Sequence, residues 1–92
     1  MKPLSATELE DFLGHNPDWK LAEGTLVRDW LFKDFLGSME FVNRVATVAE
    51  AAGHHPDIEI RYNRVRLKLT THDANGITAN DASMAAQPRR EC

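Results

Sequence analysis

The sequence predicts an α+β fold in which a four-stranded antiparallel sheet carries its helices on one face. Two segments alternate apolar and polar residues in the way of paired strands, and three others place apolar residues at helical spacing. The resulting order, α-β-β-α-β-β-α, is typical of an antiparallel sheet covered on one side. Because the 92 residues contain no repeat or linker, we expect one domain over 1–92.

The first element is a short amphipathic helix. Ser5, with Glu8 three residues later, is a capping box that marks its start. An apolar stripe follows, and Gly14 is expected to end the helix. His15 then falls in a polar loop, where we expect an exposed side chain outside any site.

A hairpin comes next. Strands over 19–21 and 26–32 flank a turn at 23–24. Trp30 is expected in the core. Trp19, at the start of a strand beside a polar loop, fits either the core or the wall of a site for a flat ligand.

The long second helix is expected to lead directly into a pair of histidines. Asp34 is a good N-cap, and the helix should run from Phe35 to Gly53. Pro56 prevents helical continuation and favours an extended backbone at His55, beside His54. The residues expected on the buried face of this helix are Met39, Val42, Val45, Ala46 and Ala49.

A second hairpin follows, with strands over 58–62 and 65–69. A two-residue loop that begins with asparagine, Asn63-Arg64, suits a tight turn and fixes the register. The facing pairs are then Tyr62 with Val65, Ile60 with Leu67, Ile58 with Leu69 and Glu59 with Lys68.

The same register predicts a histidine cluster. Continued to the open end of the hairpin, it sets His55 opposite His72, where facing Cβ atoms lie about 5 Å apart. His54 approaches from the helix corner. Because a histidine side chain exchanges protons near neutral pH, such a cluster is a candidate acid/base site.

The last predicted helix is short. Asn75-Gly76 forms a turn, Thr78 caps the helix, and Ala79 to Gln87 is rich in alanine, with Met84 as its large apolar residue.

Composition excludes several classes of function. The net charge of −3 argues against a nucleic-acid-binding protein, which normally carries a basic face. The basic residues of the second hairpin alternate with apolar ones, so a solvated strand face is favoured over an anion-binding patch. They are Arg61, Arg64, Arg66 and Lys68.

The single cysteine, Cys92, allows no intramolecular disulfide. No apolar run approaches the ~20 residues of a membrane span. We therefore expect a cytoplasmic protein that binds neither membranes nor nucleic acid.

Seven residues at fixed spacing carry a resemblance to a known family: Glu50, His54, His55, Pro56, Tyr62, His72 and Asp81. Together they resemble the signature of the pterin-4a-carbinolamine dehydratase family. The likeness extends to Trp19 and to the runs 32–35 and 44–46, and thus covers nearly the whole chain.

This resemblance implies a small lyase that needs no cofactor. Family members dehydrate 4a-hydroxytetrahydrobiopterin, the pterin carbinolamine released by aromatic amino acid hydroxylases, to quinonoid dihydropterin, which is then recycled. The elimination needs one group to protonate the departing hydroxyl and another to accept a proton from a ring nitrogen. Histidines can fill both roles.

The resemblance also assigns site residues. His54, His55 and His72 take the acid/base roles, while Glu50 and Asp81 orient imidazoles or bind pterin nitrogens. Asn80 stands where the family often has a basic residue, and the last helix is shorter than usual in the family. The remaining pocket residues implied are Trp19, Gly53, Pro56, Thr70, Thr71 and Asp73.

Other functions are weighed against this one. A metal site is disfavoured because neighbouring extended residues such as His54 and His55 point to opposite sides, and no cysteine supplements them. An interaction module is the alternative, since animal members of the family also act as dimerisation partners of a transcription factor. As partners we expect a pterin substrate, further copies of the chain in a homodimer or homotetramer, and a functional link to a hydroxylase.

Overall fold

In the computed structural model, three helices pack against one face of a four-stranded antiparallel sheet, which confirms the predicted α+β class. The structure describes residues 2–71, 74 and 76–86. The strands lie in the order β1-β2-β4-β3, so β1 and β3 form the edges. The elements are α1 (Ala6–His15), β1 (Lys20–Ala22), β2 (Thr25–Leu31), α2 (Phe35–Ala52), β3 (Asp57–Arg61), β4 (Arg64–Leu69) and α3 (Ala79–Ala86).

Helix α1 begins at the predicted capping box. The backbone N–H of Glu8 donates to the Ser5 hydroxyl (3.1 Å), and the Glu8 carboxylate accepts from the Ser5 N–H (2.8 Å). The helix continues through Gly14 and ends at His15, one residue later than predicted. His15 is exposed, as expected, although it is helical.

The buried face of α2 is rotated from the predicted one. Its buried residues are Ser38, Phe41, Val45 and Ala49. Ala46 is exposed, and Met39 and Val42 are only half-buried. Val45 and Ala49 are buried as predicted, whereas Phe41 was left out of the predicted face, and hydrophobicity alone does not identify Ser38 as a core residue. Its hydroxyl is satisfied by donating to the Tyr62 carbonyl oxygen at 2.7 Å.

The first hairpin places Trp19 in the core. Glu23 and Gly24 occupy the turn with φ of 52° and 75°, as a tight hairpin turn requires. Trp19 is 2% exposed, and its Nε1–H donates to the Ala85 carbonyl oxygen at 3.0 Å. Of the two predicted alternatives for Trp19, the structure shows the core.

The register predicted for the second hairpin is wrong by two residues. Ile60 pairs with Val65, and the loop is Tyr62-Asn63 rather than Asn63-Arg64. Tertiary contacts explain the difference: the Asn63 side-chain amide donates to the Phe32 carbonyl (3.1 Å), and the Phe32 N–H donates to the Asn63 carbonyl (2.7 Å). These contacts hold Tyr62 at a φ of 51°, which few non-glycine residues adopt.

The core lies between the sheet and the helices. Trp30 contributes to it, as predicted, and its ring stacks at a tilt on Phe41 with centroids 4.7 Å apart. The apolar side chains of α1 pack against the same cluster. The buried apolar residues are Trp19, Leu26, Trp30, Phe41, Val45, Ala49, Val65, Leu67, Leu69, Ile77, Met84 and Ala85.

The opposite face of the sheet is a solvated layer of charges. Arg66 donates to both carboxylate oxygens of Asp29, at 2.7 and 3.0 Å, and thereby lowers the pKa of Asp29. The Lys68 ammonium lies 2.7 Å from the Glu59 carboxylate and lowers the pKa of Glu59. Glu59 pairs in register with Arg66 and reaches Lys68 diagonally.

Within the part of the chain that the structure describes, none of the helices has the length and apolar character needed to cross a membrane.

Candidate functional site

The candidate site lies where the end of α2 meets the start of α3. Gly53 terminates α2 in a left-handed conformation with φ of 65°, and its N–H donates to the Ala49 and Glu50 carbonyls. A Cβ at this position would meet nothing within 4 Å, so the backbone conformation, not crowding, favours glycine. The turn places His54 and His55 directly after the helix, as predicted.

The two neighbouring histidines point to different environments. The His54 side chain is 16% exposed, whereas the His55 side chain is 62% exposed. Adjacent extended residues face opposite ways, which accounts for this divergence. Each imidazole has its own carboxylate partner.

His54 is held by Asp81. The His54 Nε2 atom lies 2.6 Å from the Asp81 Oδ1 atom, and Asp81 is completely buried. The other carboxylate oxygen, Oδ2, accepts from the Thr78 N–H at 2.8 Å and from the Thr71 hydroxyl at 2.7 Å. A buried carboxylate with three partners is a rigid support for an imidazole.

The start of α3 explains how Asp81 reaches this position. Thr78 precedes the helix as its N-cap, and its hydroxyl accepts from the Asn80 N–H at 3.2 Å. Asp81 is three residues further, and its carboxylate accepts the Thr78 N–H, which completes a capping box. One carboxylate therefore caps a helix and holds a histidine.

His55 has a looser partner. Its Nε2 atom lies 2.8 Å from the Glu50 Oε1 atom, on the last turn of α2. The Glu50 side chain is 82% exposed, so solvent screens this pair. The two residues are nevertheless close enough for Glu50 to orient the His55 ring.

The remaining predicted site residues lie in several places. Thr71 and Thr70 are half-buried at the end of β4, and Pro56 is half-buried before β3. Trp19 is in the core and offers no open surface to a ligand. His72 and Asp73 lie outside the described residues.

The pairing of His55 with His72 was predicted from a hairpin register that differs from the observed one. Asp57 pairs with Lys68 in the observed hairpin. If that register continued, His55 would lie opposite Thr70. His72 itself is outside the described residues, so its membership of the site rests on the family signature.

Sequence reasoning missed Thr78 as a site residue and treated it only as a helix cap. Its hydroxyl lies 2.8 Å from the Thr71 hydroxyl, which itself contacts Asp81. The spacing Thr78-x-x-Asp81 is a capping-box signal that could have linked the cap to the site.

The described residues contain no group of three or more His, Cys, Asp or Glu side chains arranged to hold a metal ion. The site has instead two separate histidine–carboxylate pairs, one buried and one exposed. Such pairs can bind, orient and exchange protons with a polar ligand.

The fold and site thus define a small α+β protein with a histidine–carboxylate site at a helix junction. The family model described as pterin 4 alpha carbinolamine dehydratase matches residues 2–90. This chain therefore belongs to the pterin-4-alpha-carbinolamine dehydratase family.

Individual relatives agree with this assignment. A protein of Chloroflexus aurantiacus, provisionally named pterin-4-alpha-carbinolamine dehydratase, is 52% identical over 94% of this chain and 92% of its own length. A protein of Acidobacterium capsulatum with the same provisional name is also 52% identical, over 94% of both chains.

Two solved structures resemble the fold. A crystal structure described as a transcriptional coactivator/pterin dehydratase from Brucella melitensis superposes with a TM-score of 0.90, at 32% identity and 95% coverage of both chains. A pterin dehydratase-like protein described as a RuBisCO assembly factor of the alpha-carboxysome superposes with a TM-score of 0.65, over 77% of this chain and 84% of its own chain. At 19% identity, the second likeness concerns the fold alone.

Proposed function

We propose that this protein is a dehydratase that converts 4a-hydroxytetrahydrobiopterin to quinonoid dihydropterin and water. Family membership and the provisional names of the relatives support this activity. The structural observation that carries the proposal is the His54 imidazole fixed by the buried Asp81 carboxylate, 2.6 Å away. That arrangement suits an acid or base that must act in one orientation.

The reaction breaks the carbon–oxygen bond of the carbinolamine. The departing hydroxyl takes up a proton and leaves as water, while the neighbouring ring nitrogen loses its proton and forms a double bond to the carbon. Positioned imidazoles can supply one proton and accept the other near neutral pH. We assign His54 to the departing hydroxyl and His55 and His72 to the remaining proton transfers.

The two carboxylates act on the imidazoles. Asp81 contacts His54, and Glu50 contacts His55, at distances of 2.6 and 2.8 Å. The family resemblance implied two roles for these carboxylates, to orient the imidazoles or to bind pterin nitrogens. Their contacts with the histidines favour the first role. The pterin would then lie against the pocket residues Gly53, Pro56, Thr70, Thr71 and Asp73.

The test is a dehydratase assay on purified protein. The carbinolamine is generated in situ and its loss is followed by absorbance, with the spontaneous dehydration subtracted. We expect a rate that rises linearly with protein concentration and needs no added metal. A rate that stays at the spontaneous background over the whole protein range would reject the proposal.

An interaction module is a second candidate, favoured by one observation. The exposed apolar side chains Leu31, Phe35, Leu36 and Tyr62 lie at the junction of β2, α2 and the Tyr62-Asn63 turn. A protein that shares 32% identity is described as a transcriptional coactivator as well as a dehydratase. A stable complex with a DNA-binding protein, together with no turnover of the carbinolamine, would support this candidate over the enzyme.

The proposed activity also implies a metabolic partner. The substrate is produced when aromatic amino acid hydroxylases use their pterin cofactor, so a hydroxylase in the same cell would supply it. The cytoplasm, where such soluble hydroxylases work, is the compartment we propose.

A further inference from the structure

Two threonine hydroxyls connect the helix cap of α3 to the buried carboxylate of the site. The Thr71 hydroxyl lies 2.7 Å from the Asp81 Oδ2 atom and 2.8 Å from the Thr78 hydroxyl. The Thr78 hydroxyl in turn lies 3.2 Å from the Asn80 backbone nitrogen. Thr78 and Asp81 are completely buried and Thr71 is half-buried, so most of this chain of hydrogen bonds is shielded from water.

The direction of this chain of hydrogen bonds follows from its two ends. The Asn80 N–H can only donate, and an ionised carboxylate can only accept. Since each hydroxyl carries one hydrogen, Thr78 must donate to Thr71, and Thr71 must donate to Asp81. The hydrogen bonds therefore run one way, from the α3 backbone to the carboxylate.

Hydrogen bonds in the opposite direction would conflict with the backbone N–H of Thr78. They would require a proton on the Asp81 Oδ2 atom, which already receives the Thr78 N–H at 2.8 Å. Two hydrogens would then face each other across a buried contact. The one-way chain instead gives Oδ2 two donors and leaves it no proton to carry.

The state of the carboxylate decides which His54 nitrogen carries the hydrogen. An ionised Asp81, with Oδ2 already receiving two donors, also accepts on Oδ1, so the contact at 2.6 Å is then a hydrogen bond donated by the His54 Nε2–H. In a neutral imidazole the other ring nitrogen is then an acceptor. That nitrogen, Nδ1, is the atom free to exchange a proton with a ligand.

We propose that Thr71 and Thr78 are positioning residues that hold His54 as its Nε2–H tautomer, with Nδ1 as the reacting atom. This inference deepens the proposed dehydratase activity and depends on it for the identity of the ligand. In the reaction, His54 would act as the imidazolium: it gives its Nδ1 proton to the departing hydroxyl, which leaves as water, and so becomes the Nε2–H tautomer, while the Nε2 hydrogen stays on the Asp81 bond. The proton that the pterin ring nitrogen loses balances the one given, and Nδ1 takes up a proton again before the next turnover. Thr71, predicted to line the pterin pocket, would thus act through Asp81.

The experiment measures the tautomer directly. Long-range ¹H–¹⁵N correlation spectra of uniformly labelled protein distinguish the two tautomers of a neutral imidazole, and the His54 signals are assigned by their loss in His54→Ala. We expect the Nε2–H form in the parent protein. In Thr71→Val and Thr78→Val we expect a mixture of tautomers. The kcat should fall about tenfold in Thr71→Val, the order expected for one lost hydrogen bond to a charged group, and less in Thr78→Val, which loses a bond between two neutral hydroxyls.

The controls separate positioning from folding. Thr71→Ser and Thr78→Ser keep the hydroxyls and should restore both the tautomer and the kcat. Thr47→Val removes an exposed hydroxyl whose hydrogen-bond partner, among the residues that the structure describes, is the Asn43 carbonyl of its own helix, and it should change neither the tautomer nor the kcat. Backbone amide spectra report whether each variant is folded, so tautomers are compared among folded proteins only.

The outcomes distinguish this inference from the proposed function. An Nδ1–H tautomer in the parent protein, or an unchanged tautomer in both folded valine variants, would overturn the inference even if the protein is an active dehydratase. The expected tautomer, with its shift in the valine variants, would support the inference even if the carbinolamine is not turned over.

Discussion

The His54 imidazole and the Asp81 carboxylate form a hydrogen-bonded pair 2.6 Å apart, although 27 residues separate them in the chain. His54 follows the end of α2, and Asp81 lies in the first turn of α3. The pair therefore depends on the packing of two helices and on the capping of the second. Disturbing any of these should affect both stability and the site.

The three histidines of the family signature should matter for activity, whereas His15 should not. Replacing His54, His55 or His72 by alanine should each lower dehydratase activity by about 10²- to 10⁴-fold, the usual contribution of a positioned acid or base. His15→Ala is the control, because His15 lies on the exposed end of α1. Normal turnover by all three folded site variants would refute histidine acid/base catalysis here.

The carboxylates of the two pairs offer a matched comparison. Asp81→Asn should lower activity far more than Glu50→Gln, because Asp81 is buried with three partners whereas the Glu50 side chain is 82% exposed. Asp81→Asn should also lower the free energy of unfolding by about 1–3 kcal/mol, since an amide nitrogen cannot accept the bonds made to one carboxylate oxygen. Urea unfolding and the dehydratase assay measure the two effects. Equal losses of activity in Asp81→Asn and Glu50→Gln would contradict the larger role assigned to Asp81.

The sequence predicts the elements well where local chemistry decides them. The Ser5-Glu8 capping box, the Asp34 cap and the stop at Gly53 are local signals, and each lies at a helix end in the structure. The hairpin register was missed because Asn63 is hydrogen-bonded to Phe32, a residue distant in sequence, and this contact holds the neighbouring Tyr62 at a positive φ. Tertiary contacts of this kind leave no local signal.

The same distinction applies to the site. The positions of His54 and His55 after α2 followed from Gly53 and Pro56, which are local signals. Which carboxylate holds which imidazole depends on helix packing, and periodicity does not reveal it. The family signature brought Asp81 into the site, but only the geometry shows that it contacts His54.

Two glycines test the requirement for a left-handed residue before His54. Gly53→Ala should lower the free energy of unfolding by about 1–2 kcal/mol, because its φ of 65° strains any residue with a Cβ although no atom lies in the way. Gly53→Asn should cost less, since asparagine tolerates this conformation. Gly14→Ala is the control: it lies in α1 with open space around it and should stabilise the protein by up to about 1 kcal/mol. Denaturant titration measures all three variants. An unchanged free energy of unfolding in Gly53→Ala would show that the turn can relax.

The Asp29–Arg66 pair predicts how stability depends on acidity. Because Arg66 lowers the folded-state pKa of Asp29, the unfolded state binds the proton more readily. The stabilisation is therefore fully present above the ordinary pKa of about 3.9 and is lost as the pH falls through the lower folded pKa. Both side chains are more than a third exposed, at 43% and 41%, so solvent screening should keep the effect on stability small.

The measurement is urea unfolding between pH 2 and pH 7 for the parent protein, Asp29→Asn, Arg66→Gln and the double variant. The difference between the parent protein and Asp29→Asn should shrink as the pH falls below about 4. The double variant should lose less than the sum of the single losses, because the two residues act as one pair. A difference that stays constant over the whole pH range would contradict the pairing.

The edges of the sheet lead to a prediction about assembly. β3 is an edge strand, and its outer backbone groups have no strand partner among the described residues. Exposed strand edges readily pair with another chain, and a domain of this size gains from extra burial. We therefore expect a homodimer that joins two sheets edge to edge, with further pairing into a tetramer through α2.

Sedimentation velocity over a range of micromolar concentrations tests this assembly. We expect a principal species of twice the 10.4 kDa chain mass, or four times that mass if α2 also pairs. Ile60 lies on β3 and is 36% exposed, so Ile60→Lys should place a charge near the joined edge and shift the distribution toward the monomer. Lys2→Ala, at an exposed position before α1, should leave the distribution unchanged. A single 10.4 kDa species at every concentration would refute the dimer.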